Sequence, residues 1–294
     1  MASRSNHSAR RAALAATAAE TRTVLPSIIQ QLPHLAPSKS ECLHLDYLPP
    51  LKAADRPRHN PSDTVTIKVV NDDTFNAAIA LAAQAGPDAG RVVVLNMASH
   101  VHPGGGWLKG ASAQEEALCY RSSLSLSLHK RYYPFKQLTG VYSPDVVIIR
   151  SDRANGHNLL VPDVPATDLP VVSVVSVAAL RKPATETTTV TLDDGKEETR
   201  TVFAKAEDRA MTKEKMRLCL RMAASRGHGL LVLGALGCGA FGNPPEEVAA
   251  CWLEVLHDTE FSGGWWREIW FAIFDGRNEG NFEIFERVLG EQEV

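Results

Sequence analysis

Two periods of apolar residues alternate along most of this chain. From Thr64 to Val70 apolar and polar residues alternate and then turn apolar, as in a half-buried strand. Val92-Val93-Val94-Leu95, within Arg91–Asn96, is a short apolar run suited to a strand covered on both faces. Val146–Ile149, Val171–Val175, Leu230–Leu233 and Ile269–Phe274 predict further strands of that kind. Helical spacing fills the intervals. One helix is expected over Thr74–Gln84, capped by Asp72 or Asp73 and ended by Gly86-Pro87. Another is expected from near Ser112 to about His129, and a third over Lys205–Arg226. Pro244-Pro245-Glu246-Glu247 opens a fourth with proline and acids in its first turn, and Asn281–Leu289 gives a last one. Thr187–Phe203 breaks the rhythm and reads as a polar surface hairpin turning at Asp193-Asp194-Gly195.

The N-terminal stretch Ser3–Arg22 is rich in Ala, Ser and Arg and holds one acid, which also fits a mitochondrial transit peptide. Apolar spacing continues through Leu25, Ile28, Ile29 and Leu32, which favours a helix belonging to the domain. An irregular, proline-bearing segment follows from Pro33 to Pro61. The organisation expected is an N-terminal helix and irregular segment over residues 1–60, packed on one α/β domain over 61–294. A hairpin insertion near 183–203 interrupts that domain.

Composition sharpens this picture only in part. A hydrophobic fraction of 44% and a charged fraction of 22% are those of a globular chain able to bury a core without staples. The net charge of −3 provides no general attraction to nucleic acid or anionic lipid, so an anionic ligand needs local donors. Five cysteines without a CxxC pair point to free thiols in a reducing compartment, cytoplasm or nucleus, with mitochondrial import the lesser alternative. No apolar run approaches the ~20 residues a membrane helix needs.

The candidate chemistry lies in two glycine-rich loops. The first, Leu95-Asn96-Met97-Ala98-Ser99-His100-Val101-His102-Pro103-Gly104-Gly105-Gly106, leaves the carboxyl end of a buried strand, where open α/β sheets place ligands. Consecutive glycines admit positive φ and close approach of a ligand. Alone they would mark a flexible connection, but Gln114-Glu115-Glu116 starts the next helix close by. Adjacent helical carboxylates point about 100° apart and would do different work. The second loop, Gly234-Ala235-Leu236-Gly237-Cys238-Gly239-Ala240-Phe241-Gly242-Asn243-Pro244, also joins a buried strand to a helix start. Its backbone N–H groups and the helix dipole suit a diphosphate. Neither loop carries the Lys-Ser/Thr pair of a P-loop NTPase. A dinucleotide dehydrogenase would place its glycines after the first strand. His100 and His102 form an HxH without an evident third ligand, so no metal is expected.

Gly-Gly-Gly, seven intervening residues and Gln-Glu-Glu together resemble the defining motif of the poly(ADP-ribose) glycohydrolase family. Leu-Asn-Met-Ala before His-Pro-Gly-Gly-Gly, and Leu-Gly-Cys-Gly-Ala-Phe-Gly-Asn-Pro-Pro later, are similar to its microbial type. Ala9-Arg10-Arg11, Asn71-Asp72-Asp73-Thr74 and Phe271-Ala272-Ile273 extend the likeness to nearly the whole chain, the 183–203 hairpin apart. The resemblance implies a macrodomain-like three-layer sandwich, a central mixed sheet flanked by helices, with ADP-ribose across its crest. It implies Glu116 as catalytic acid/base and Glu115 as the partner of the ribose at the scissile bond, which Asn96 also positions. Gly104, Gly105, Gly106 and Gln114 would meet the ribose and diphosphate. Gly237, Cys238, Gly239, Ala240 and Gly242 would hold the diphosphate, with Phe241 against the terminal sugar. Asp72 would contact adenine, with Asn281 or Phe282 as walls.

The implied reaction is hydrolysis of the O-glycosidic bond between ADP-ribose units, with no cofactor. Poly(ADP-ribose) or ADP-ribosylated proteins would be the partners and ADP-ribose the product. Neither membrane nor sequence-specific nucleic-acid binding is expected, and the chain would act as a monomer. Two readings compete. A reader of ADP-ribose would use both loops without needing paired glutamates. A related hydrolase would remove mono-ADP-ribose or act on a small ADP-ribose derivative through the same fold.

Overall fold

The computed structural model describes residues 2–57, 64–191, 197–276 and 278–294. The helices are α1 (Ala2–Ile29), α2 (Thr74–Ala85), α3 (Gln114–Arg121), α4 (Ala206–Ala224), α5 (Pro245–Leu256) and α6 (Asn281–Leu289). The strands are β1 (Glu41–His44), β2 (Ile67–Val70), β3 (Val93–Met97), β4 (Thr139–Val147), β5 (Val171–Val177), β6 (Thr185–Thr191), β7 (Glu197–Phe203), β8 (Leu230–Leu233) and β9 (Glu268–Ala272). Seven strands make one mixed sheet in the order β1-β4-β5-β3-β8-β9-β2. The run β5-β3-β8-β9-β2 is parallel, whereas β4 is antiparallel to both of its neighbours.

Successive strand residues serve opposite faces, and the cores follow that alternation. Val93, Leu95, Leu231, Leu233, Ile269 and Phe271 join the cluster built with α4, α5 and α6. Val92, Val94, Leu230, Val232, Trp270 and Ala272 join the cluster on the other face, with α2 and α3. Helices thus cover both faces of a central sheet, the macrodomain-like sandwich expected from the sequence. Leu14, Ala18, Thr21, Leu25 and Ile28 form one buried stripe along α1 at helical spacing. Thr21 joins that stripe because its hydroxyl donates to the Tyr120 carbonyl at 2.9 Å and accepts from Arg150 Nε at 2.9 Å.

Several boundaries differ from the sequence expectation for identifiable reasons. The helix expected to reach His129 stops at Arg121. Ser122 adopts extended backbone, its hydroxyl donating to the Leu118 carbonyl and accepting from the Leu124 N–H. Local serine bonds of this kind compete with the helical ladder. The strand expected at Val146–Ile149 begins earlier, at Thr139, and passes a register shift between Ser143 and Val146. Pro144 lies at that irregularity, where a missing N–H is tolerated, and made the run look broken in the sequence. β1 lies inside the segment expected to be irregular and closes one sheet edge. The hairpin forms a separate two-stranded sheet pairing Thr185 with Phe203 through Thr191 with Glu197. The expected turn Asp193-Asp194-Gly195 lies outside the described residues.

Candidate active site

The first glycine loop leaves β3 and returns as α3, so both ends are fixed by buried elements. Asn96 and Ser176 are register partners on β3 and β5, and the Asn96 amide donates to the Ser176 hydroxyl at 3.0 Å. The same amide lies 3.4 Å from Glu115 Oε1, and the Ser99 N–H donates to Glu115 Oε2 at 2.8 Å. Asn96 is fully buried, and among the described residues its Oδ1 has no hydrogen-bond partner. Glu116 accepts from the Gly106 N–H at 2.7 Å through Oε1 and from the Ala113 N–H at 3.0 Å through Oε2. The second bond is half of a capping box, with Glu116 reaching back to the residue before the helix. Residues of one short helix therefore fasten the loop from beneath.

The carboxylates are deeply placed, Glu115 at 3% and Glu116 at 7% exposure. Burial pushes the Glu115 carboxyl up to about 8. The Glu116 charge adds to this rise, against the opposing pull of the Ser99 and Gly104 N–H groups and the Asn96 amide. A buried carboxyl with that value holds its proton at neutral pH. The loop is shaped around this pair. Gly105 has φ +58°, and a Cβ there would collide with Glu116 Oε1 and lie 3.1 Å from Glu115 Oε2. A Cβ on Gly104 would lie 2.7 Å from the Trp107 ring, and one on Gly106 2.9 Å from Ala111 Cβ.

Gln114 is engaged by the protein itself. Its Oε1 accepts from the Met97 N–H at 2.9 Å, and its Nε2 donates to the Leu95 carbonyl at 2.8 Å and the Thr74 hydroxyl at 3.1 Å. It clamps the end of β3 to the start of α2 while lining the cleft described next. Asp73, not Asp72, caps α2, accepting from the Phe75 and Asn76 N–H groups. Asp72 instead accepts from the Asn76 amide at 3.0 Å.

A cleft of about 680 Å³ runs across the carboxyl ends of the parallel strands. It gathers Asp72–Thr74, the start of α3, the second glycine loop and residues 272–274 at the end of β9. Gly237, Gly239, Ala240, Phe241, Asp72, Gln114 and Asn281 line it. Cys238, Gly242 and Phe282 do not, and neither do Asn96, Gly104–Gly106, Glu115 and Glu116. The two loops touch where the Phe241 ring meets His100 edge-on at 6.3 Å between centroids. Among the described residues no three His, Cys, Asp or Glu side chains converge as a metal site.

Several lining residues escaped the sequence reading. Phe274 is 70% exposed on the cleft, at the carboxyl end of β9, a position that strand topology alone could have flagged. Asp152, Arg153 and His157 come from the loop after residue 149. That loop is tied to α2 by the Asn76 amide donating to Asp152 at 2.6 Å. The buried Arg121 guanidinium joins the same cluster, pairing with Asp73 and donating to Asn76 Oδ1. This long-range network helps hold the 152–157 loop at the cleft.

Residues 6–151 match the family model for the microbial-type PARG catalytic domain. The chain belongs to the microbial-type poly(ADP-ribose) glycohydrolase (PARG) family. The PARG of Thermomonospora curvata is similar over 95% of this chain and 98% of its own, with 26% identity and a TM-score of 0.72. Its complex with the inhibitor ADP-HPD gives 27% identity and a TM-score of 0.70 over the same shares. The PARG of Deinococcus radiodurans, in complex with ADP-ribose, is similar over 86% of this chain and 95% of its own, with 27% identity and a TM-score of 0.65. No curated protein matches the chain. No helix among the described residues of this PARG-family chain is long and apolar enough to cross a membrane.

Proposed function

We propose that this PARG-family protein hydrolyses the ribose–ribose bonds of poly(ADP-ribose), releasing ADP-ribose, with Glu116 as general acid and base. The observation that carries this reading is a buried carboxyl pair fastened to a triple-glycine loop, whose flanking residues Met97, Ala98 and Gln114 line a cleft together with a second glycine loop. Fastening the loop does not by itself call for two carboxyls buried side by side, one of them with a strongly raised pKa.

Cleavage of a glycosidic bond passes through an oxocarbenium-like state and needs a proton on the leaving oxygen. In our reading Glu116 delivers it to the leaving oxygen, and its carboxylate then takes a proton from the water that attacks the anomeric carbon. Glu115, oriented by Ser99 and Asn96, hydrogen-bonds the ribose. The backbone N–H groups of 237–242 receive the diphosphate, Phe241 packs on the terminal sugar and Asp72 meets adenine. Gln114 acts by positioning, since its amide is occupied by Leu95, Met97 and Thr74.

The test is turnover of poly(ADP-ribose) by purified protein, following free ADP-ribose. Glu116→Gln should lower the rate by about 10²–10⁴-fold, the usual worth of general acid–base catalysis, while ADP-ribose still binds. Undiminished release by this variant would sink the assignment. Parallel assays on a mono-ADP-ribosylated protein and on a small ADP-ribose ester distinguish the polymer from the competing substrates.

A further inference from the structure

The segment between β5 and the β6–β7 hairpin runs as a strap along the second glycine loop. A Cβ on Gly237 would lie 2.6 Å from Ala179 Cβ, so the two segments are in contact there. One residue on, the Leu180 carbonyl accepts from the Asn243 amide at 2.7 Å. Two residues further, the Lys182 N–H donates to the Phe241 carbonyl at 2.7 Å. Lys182 holds φ +51°, an unusual conformation for a residue with a side chain, and that bond fixes it. The hairpin then closes behind the strap, with the Ala204 N–H donating to the Ala184 carbonyl.

This strap presents two adjacent cations, Arg181 and Lys182, both exposed and, among the described residues, without an ion-pair partner. Several basic residues elsewhere are matched. Arg209 and Lys213 pair with Glu254, Arg217 with Asp258, Arg221 with Glu260, and Arg226 with Glu41. What distinguishes these two is their place, on a strap held against a candidate phosphate loop. The cleft itself is poor in cations, its lining holding Asp72, Asp73, Asp152 and Glu279 against Arg153.

We propose that Arg181 and Lys182 bind the diphosphate of the ADP-ribose unit next to the one held in the cleft. They make the hairpin base a subsite for polymer. This inference rests on the polymer-hydrolase reading. A single ADP-ribose already has its diphosphate on the backbone N–H groups of the second loop. Arg181 and Lys182 do not line the cleft, so their cations serve phosphates beyond the first unit. Binding there is electrostatic and weakens with salt.

The experiment compares wild type with Arg181→Gln/Lys182→Gln on long poly(ADP-ribose), alongside ADP-ribose binding by calorimetry. Two exposed cations together should be worth about a five- to tenfold rise in KM for polymer. Little change is expected in kcat or in the Kd of ADP-ribose, and kcat/KM should depend less steeply on salt. Arg181→Gln alone should give part of the effect while leaving the Lys182 backbone untouched, which guards against local unfolding. An unchanged KM in both variants overturns the proposal. So does an equal weakening for free ADP-ribose, because the cations would then serve the unit in the cleft. If wild type releases no ADP-ribose from polymer, the functional reading itself fails before any variant is made.

Discussion

The two glycine loops leave neighbouring parallel strands, β3 and β8, and each feeds a helix, yet their glycines answer different demands. In the first loop the space a Cβ would occupy at 104–106 is already filled by Trp107, Glu115, Glu116 and Ala111. Those glycines let the chain lie directly on its own carboxylates. In the second loop, a Cβ on Gly239 or Gly242 would meet nothing within 4 Å. Gly242 is explained by its φ of +66°, whereas Gly239 has neither a clash nor a positive φ to require it. The first loop is thus shaped from within, around the catalytic candidates. The second leaves open space at Gly239, which lines the cleft.

The largest effect should come from breaking the first loop. Gly105→Ala would force a methyl against Glu116 Oε1 at a φ that L residues resist. We expect turnover of poly(ADP-ribose) to fall by about 10²-fold or more, since small misplacements of a catalytic group cost that much. Retained turnover in a steady-state assay would mean that the loop can move off its carboxylates at no loss. Gly239→Ala probes the other side of the comparison. With open space and ordinary φ, it should leave thermal stability within about 0.5 kcal/mol of wild type. It should still weaken ADP-ribose by roughly tenfold, measured by calorimetry, if phosphate approaches that backbone. Normal affinity would place the diphosphate elsewhere.

The smallest effect concerns pH. Glu115 has a folded value of about 8 against an ordinary 4.5, so between these values the folded state binds a proton that the unfolded state has released. Stability attributable to this group therefore falls as pH rises from 4.5 to 8 and levels off above. Glu115→Gln removes the penalty, and Tm at pH 8 should rise by several °C relative to wild type, with little change at pH 4.5. An equal Tm shift at both pH values would show that the side chain, not its titration, matters. Loss of the Glu115 proton should also alter its proposed hydrogen bond to the ribose, so wild-type activity should decline as pH passes through about 8.

Much of the fold was legible because burial imposes period. The apolar runs at 92–95, 171–175 and 230–233 became central parallel strands, and the spacing in the N-terminal helix became the stripe from Leu14 to Ile28. Elements that depend on partners were not legible. Glu41–His44 has no period of its own and is a strand only because β4 offers its edge. Thr139–Val147 was hidden by Pro144, and the serines after Arg121 ended a helix that periodicity would have extended. Within the site, the paired glutamates and both glycine loops were visible, while Phe274 and the 152–157 loop were not. The first are bound to motifs local in sequence. The second reach the cleft through sheet order and the Arg121–Asp73–Asn76–Asp152 network, which joins residues far apart in the chain.

The sequence by itself therefore determined the α/β class, the two ligand-facing loops and the family likeness, since each follows from short-range pattern and backbone freedom. Only the tertiary structure decided what each part does within that frame. It gave Gln114 to the protein's own hydrogen bonds and put the raised carboxyl at Glu115, where burial is a property of the packed loop and not of the residue. It also laid the unmatched Arg181 and Lys182 along the second loop. Proximity between segments far apart in the chain is set by the sheet, and no local pattern encodes it.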